Sequence, residues 1–223
     1  TAGDGGMVLT RTEEQYRRAF AVHDQGHLPL RQGVEQGARA VLGLNFKMTE
    51  LVAAVVLAQL KKVDTIRSLL REKKARFKQD IADLEGISFR HLPDPDGEAG
   101  TVLTVLFPTE EIARNVGKEL GCGVVADSGW HVYNHMEHVL GKKTVDATGC
   151  PFTCPFYTDK GGAVEYRQGM LPRTDEILAR AINISIGVAD AGLGSGFGIT
   201  VLSENDEIET KAEQFRAVVE RYR

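Results

Sequence analysis

Apolar and polar positions recur with different periods along this chain, and the changes of period mark its elements. Met7 to Thr10 is a short apolar run that predicts a strand, and Thr12-Glu13-Glu14-Gln15 behind it has the capping-box pattern, with Thr12 as N-cap and Gln15 at N3. A helix through about Val22 follows. From His23 to Lys47 the chain keeps no period and holds several glycines and a proline, so it reads as a long loop, a type that is functional or disordered in most compact chains. At Thr49 the pattern changes. Thr49 is placed to cap, Glu50 favours the positive end of a helix dipole, and Leu51, Val55, Ala58, Val63, Ile66 and Leu70 recur at helical spacing. This predicts one long bent helix or a helix pair. Its small residues Ala53, Ala54 and Ala58 suit the close approach of another helix, whereas Lys61-Lys62 and Arg71-Glu72-Lys73-Lys74 read as solvated.

From about Ser88 strands and helices alternate. "SFRHL" and the β-branched run "TVLTVLF" read as strands, Pro108-Thr109-Glu110-Glu111 opens a helix to about Leu120, and "CGVVA" follows as a further strand. Near the C-terminus Ile208, Ala212, Phe215, Val219 and Tyr222 form one apolar stripe on a last helix, capped near Ser203 or Asn205. The order predicts an α/β or α+β unit. One capped helix and one strand cannot bury a sheet, so the residues before about Arg76 read as the end of a larger domain whose beginning lies upstream.

Composition narrows the partners. The chain has 223 residues, 42% of them hydrophobic, and 27 basic against 31 acidic side chains, a formal net charge of -4. That is an ordinary globular balance with no electrostatic footprint for nucleic acid or an anionic membrane. No apolar run has the length of a spanning helix and no signal-peptide pattern is present, which makes the cytoplasm the expected location. Cys122, Cys150 and Cys154 are an odd number without framework spacing, so reduced thiols are expected. Cys150 and Cys154, with His131, His135 and His138 upstream, have a spacing compatible with zinc, but no second ligand knuckle follows and no metal is expected.

The opening "TAGDGGMVLT" lacks the Lys-Ser/Thr ending of a nucleotide P-loop, and alone it is a turn before a strand. Together with Gly43-Leu44-Asn45-Phe46-Lys47-Met48-Thr49-Glu50 it resembles the DegT/DnrJ/EryC1/StrS family of sugar aminotransferases, and "LPRTDEILARAINISIGV" is similar to that family's Leu-Pro-x-x-Glu segment. The resemblance implies an α/β chain of fold type I, aspartate aminotransferase-like, with residues 1–75 as the end of a large pyridoxal-phosphate (PLP) domain and 76–223 as the small domain. It further implies PLP as cofactor, with the Schiff-base lysine expected about three residues before Thr1.

In such a chain Asn45 would reach across a homodimer to the cofactor phosphate, as an amide donor, and Gly3 and Gly5 would let the backbone approach the cofactor. Lys47, His131 and Tyr133 would face the substrate. Lys47 stands where the family has Arg and loses the bidentate fork, and Phe46 stands for Tyr and loses a hydroxyl. The implied reaction moves an amino group from an amino acid, glutamate by analogy, to a keto-sugar. "HDQGH", "WHVYN" and the Leu-Pro segment look most like the branch acting on a keto-octulosonate of lipopolysaccharide. Two alternatives stay open at this point: a PLP-dependent sugar dehydratase with His in place of the upstream Lys, and an inert truncated remnant.

Overall fold

Three threonines decide where helices begin. In the computed structural model, Thr12 Oγ1 accepts from Gln15 N at 3.2 Å, Thr49 Oγ1 from Val52 N at 3.4 Å and Thr109 Oγ1 from Ile112 N at 3.2 Å, each satisfying a first-turn amide. The structure describes residues 3–29, 39, 41–129, 131–162, 164–187 and 196–223. Thr1 and Ala2 of the opening motif, residues 30–38 and 40 of the expected loop, Trp130, and Val188 at the end of the Leu-Pro segment lie outside the described residues.

The chain divides into two compact units, 1–64 and 65–223. The first contains α1 (Glu13–His23) and α2 (Glu50–Leu60). Capping at Thr12 is reciprocated by Gln15, whose Oε1 accepts from Arg11 N at 3.3 Å. The strand expected at Met7 to Thr10 is absent: no neighbouring strand is described for it to pair with, and Met7, Val8 and Leu9 are 72%, 76% and 87% exposed. The helix pair expected after Thr49 is present as α2 and α3 (Val63–Ile81). The stripe read across the pair is not one buried face. Only Leu70 of its six residues is buried, because α2 is apolar on all sides and buries nothing.

The second unit is built on β1 (Ser88–Phe89), β2 (Val102–Leu106) and β3 (Ala181–Ser185), an antiparallel sheet in the order β1-β2-β3. Register places Leu103 opposite Ile184 and Val105 opposite Ile182, so four apolar side chains share a face by the two-residue period of a strand. On the intervening pair, Thr104 Oγ1 donates to Asn183 Oδ1 at 2.8 Å. The core joins the buried face to α3 through Leu70, Phe77 and Ile81, to α4 (Glu110–Leu120) through Ala113 and Val116, and to α8 (Asn205–Tyr222) through Ile208, Phe215 and Val219. Phe77, Phe197 and Phe215 meet edge-on or tilted, with centroids 6.3 to 6.5 Å apart.

Between β2 and β3 the chain runs through α4, a 3-10 turn at Val125–Asp127, a second at Tyr133–His135, and the short helices α5 (Glu137–Leu140), α6 (Pro155–Thr158) and α7 (Pro172–Ala179). The expected strand at "CGVVA" is reduced to one bridge, Val124 to Ile182, before the chain turns. The stripe on the last helix is buried as expected except for Tyr222, which packs half-buried against the core, and the cap is Glu204 by backbone geometry alone. Ser203 instead accepts from Thr200 N at 2.9 Å. Lys74, expected in a solvated run, is buried and paired with Glu98. The expectation of three reduced thiols is corrected as well: Cys150 and Cys154 form a disulfide, their Cα atoms 4.8 Å apart. Counting cysteines for a whole framework overlooks a local pair, because a turn ahead of α6 already sets two residues within roughly the 4.4 to 6.8 Å a disulfide spans. Cys122 is buried and free. Among the described residues no helix is long and apolar enough to cross a membrane.

Candidate functional site

The second motif is sewn to the end of α1 by backbone hydrogen bonds. Gln25 (φ 55°) turns the chain out of the helix, and Leu44 N donates to Val22 O at 2.8 Å, Gln25 N to Leu44 O at 3.0 Å and Phe46 N to His23 O at 2.9 Å. Gly43 permits this crossing: a Cβ there would lie 2.3 Å from Ala21 O and 2.5 Å from Gly26 N, closer than any side chain tolerates. Met48 then meets the opening motif. A Cβ on Gly5 would come within 3.1 Å of Met48 Cε, whereas Gly3 (φ 78°) has open space around it. Two sequence motifs some forty residues apart are thereby neighbours in the first unit.

Asn45 and Lys47 project from this crossing. Asn45 is exposed, and its Oδ1 accepts from Lys47 N at 3.4 Å, which orients the amide and leaves its NH2 group directed away from that bond. The Lys47 ammonium donates to Asp24 Oδ1 at 2.5 Å. Asp24, its side chain 6% exposed, caps the C-terminus of α1, where the helix dipole disfavours an anion, so a cation is required nearby. Sequence reasoning missed Asp24. The signal was present: an acid between the last turn of a predicted helix and a Gln-Gly turn opposes the dipole unless something compensates it.

His131 and Tyr133 belong to the second unit. His131 precedes the 3-10 turn that holds Tyr133, and α5 follows it. His131 is exposed. The Tyr133 hydroxyl donates to Asp175 Oδ2 at 2.8 Å and accepts from Leu171 N at 2.9 Å, and Asn134 Nδ2 donates to Asp175 Oδ1 at 2.9 Å. Asn134 Oδ1 also accepts from Gly169 N at 2.9 Å. Tyr133 and Asn134 therefore fasten the start of α7, the Leu-Pro segment, to this turn. Neither Asn134 nor Asp175 was singled out in the sequence, since a bond between residues about forty apart leaves no local pattern. Among the described residues no three His, Cys, Asp or Glu side chains converge as metal ligands.

The family model described as DegT/DnrJ/EryC1/StrS aminotransferase matches residues 1–189. The chain is 37% identical over 84 residues to the GDP-perosamine synthase of Escherichia coli O157:H7, a match covering 38% of this chain and 22% of the synthase. Among solved structures it is similar to the aminotransferase TlmJ from Streptoalloteichus hindustanus, with TM-score 0.60 and 15% identity, over 100% of this chain and 49% of that one. It is likewise similar to an aminotransferase from Psychrobacter cryohalolentis, with TM-score 0.60 and 18% identity, over 96% and 51%. A 3-amino-5-hydroxybenzoic acid synthase gives TM-score 0.56 and 18% identity over 93% and 47%. These structural likenesses show an α/β fold shared with aminotransferases. The chain spans about half the length of these structures and about a fifth of the curated relative.

Proposed function

Since the chain belongs to the DegT/DnrJ/EryC1/StrS aminotransferase family, we propose that it serves a PLP-dependent aminotransferase that moves an amino group from an amino acid to a keto-sugar. The observation that carries this reading is the meeting of the two family motifs in the first unit, the Gly3–Gly6 loop against Met48, with Asn45 and Lys47 presented beside it. In the wider assignment, residues 1–75 close a large PLP-binding domain and 76–223 form the small domain.

The residues fit the cofactor in one specific respect. An exposed amide oriented by the Lys47 backbone leaves two N–H donors for phosphate oxygens, and Gly3 and Gly6, with open space around them, leave room for a group to approach their backbone. When bound, PLP supplies the electron sink that weakens the Cα–H bond of the amino donor. Asn45 then holds the phosphate, across a homodimer interface in this reading, so that one subunit completes the site of the other. Lys47 commits one ammonium donor to Asp24 and keeps two for the sugar. His131 and Tyr133 are the sugar-facing candidates of the small domain. We read the donor as glutamate, the acceptor as an anionic keto-octulosonate of lipopolysaccharide, and the location as cytoplasmic. An acidic sugar gives the Lys47 donors a charged partner.

Asn45→Ala tests the reading. Losing a hydrogen bond to a charged group is expected to weaken PLP binding by about 1 to 3 kcal/mol, measured by absorbance titration of the full-length enzyme. Equal affinity of the full-length enzyme and its variant for PLP overturns the phosphate role, and an unaltered full-length enzyme that binds no PLP overturns the function.

A further inference from the structure

A second site is built wholly within residues 65–223, away from the two motifs in sequence. Arg71, Lys74 and Lys78 are spaced three and four apart on α3 and so share one of its faces. Opposite them run Phe89 and Arg90, and then the loop "LPDPDGEAG", which is a formed structure. Asp94 Oδ1 accepts from Asp96 N at 3.1 Å and Gly97 N at 3.0 Å, and the Arg71 guanidinium donates to Asp96 O at 2.9 Å and Pro95 O at 3.1 Å. Gly100, at φ 83°, lets the loop backbone lie on α3, since a Cβ there would be 3.0 Å from Arg71 N. Helix, strand end and loop border a half-open cavity of about 210 Å³. That is room for roughly seven waters at ~30 Å³ each.

The charges around this cavity do not cancel. Glu98 pairs with the buried Lys74 and lies 3.7 Å from Arg90, and Asp96, fully exposed at the rim, is 3.5 Å from Arg71. Four cations thus meet three loop carboxylates, of which Asp96 stands in open solvent and Asp94 is turned to the amides of its own loop. Among the described residues Lys78 has no carboxylate partner: its ammonium sits 4.8 Å from the centroid of the Phe89 ring, held by the ring face. In a chain of net charge -4, Lys74, Lys78 and Arg90 line one hollow, and the single carboxylate of Glu98 is shared by two of them, which leaves the hollow net cationic. The rest of the lining, Phe89, Leu92 and Leu103, is apolar and suits a short carbon skeleton.

From this juxtaposition we propose that the cavity between α3 and the Leu92–Gly100 loop binds a small organic oxyanion, its phosphate or carboxylate group held by Lys78 and Arg90 and its carbon body against Phe89. Arg90 supplies the planar fork that grips such a group, and Lys78 the point charge. A neighbouring hollow of about 450 Å³ shares Arg90, Leu92 and Glu98, so a longer ligand can extend beyond its anionic head.

Isothermal titration of the full chain with inorganic phosphate and, separately, with glutarate, at ionic strength fixed with sodium chloride, tests the site. Saturable binding of at least one probe is expected, weakened about tenfold or more in a Lys78→Gln, Arg90→Gln double variant, as suits the loss of charge-assisted contacts. Phosphate alone marks a phosphoester ligand, glutarate alone a carboxylate ligand, and both an oxyanion read without regard to its parent. Both replaced side chains are exposed and outside the core, and the two single variants, each expected to lose part of the affinity, repeat the test should the double variant not fold. Failure of both probes to bind, or binding by the double variant equal to the wild type, overturns the site. None of these results bears on Asn45 or on aminotransfer.

Discussion

Lys47 was expected to meet a substrate anion, and its ammonium already meets Asp24. With one partner nearly buried and the other 41% exposed, the pair lies between the surface case, worth about 0 to 1 kcal/mol, and the buried one, where breaking it costs about 3 to 5 kcal/mol. A double-mutant cycle on Asp24→Asn and Lys47→Met is expected to return a coupling of roughly 1 to 2 kcal/mol in chemical denaturation. A coupling near zero would show that the two charges act independently. Asp83 carries a different prediction. Arg216 grips it through two bonds, Nη1 to Oδ1 at 2.5 Å and Nη2 to Oδ2 at 2.8 Å, and the hydrogen bond from Arg216 holds the Asp83 carboxyl below its ordinary range. A carboxyl depressed in the folded state contributes stability above its unfolded pKa and loses it as pH falls through the folded one. Asp83→Asn should therefore lower the melting temperature at neutral pH, and the gap to wild type should close as the solution is acidified below the ordinary carboxylate range. Exposure and screening keep that gap small. Cys122 behaves oppositely to a reactive thiol: burial pushes it up to about 11, which leaves it protonated and inert at neutral pH.

Elements differ in how far they can be read from their own residues. Thr12, Thr49 and Thr109 announced their helices because a cap acts over three residues, and the spacing of Ile208, Ala212 and Phe215 announced α8 because a face needs only one periodic stretch. Met7 to Thr10 looked the same as a strand and is not one, since a strand exists by virtue of its partner. Conversely Ala181–Ser185, quoted in the sequence only as part of a family-like segment, is β3, and its Ile182 and Ile184 complete the buried face of the sheet. Asp24 with Lys47, Tyr133 with Asp175, and Lys74 with Glu98 were illegible for one reason: each joins residues more than twenty positions apart. The Cys150–Cys154 bond is local, yet the odd cysteine count concealed it. Because it closes only a five-residue loop, its reduction should cost about 2 kcal/mol of unfolding free energy on the chain-entropy account. Urea titrations with and without reductant, in a Cys122→Ser background, measure this directly. An unchanged midpoint would mean that the turn before α6 persists without the bond.

The two units are unequal as folding bodies. Every residue of the buried hydrophobic cluster belongs to 65–223, whereas in 1–64 the buried hydrophobic side chains among the described residues reduce to Ala21. Family membership was readable from the sequence because family patterns are written in short runs, but the meeting of the two motifs and this imbalance of core were not. It yields a prediction for amide hydrogen exchange at high dilution. Amides of β2, β3 and α8 should be the most protected, while those of α2, eleven residues long and without a buried side chain, should exchange quickly, since so short a helix has marginal stability alone. Protection of α2 equal to that of α8 would show that its apolar surface is covered. The pairing of β2 with β3 reaches further. Leu103 and Ile184 stand opposite each other although about eighty residues of chain separate them, so the central ladder can form only after a long loop has been closed. Helices α3 and α4 can be made early and locally, but the ladder must wait until the ribosome has released Ser185. The late arrival of one five-residue strand thus sets the clock for the whole second unit, and its refolding should run at the slower pace of chains dominated by distant contacts.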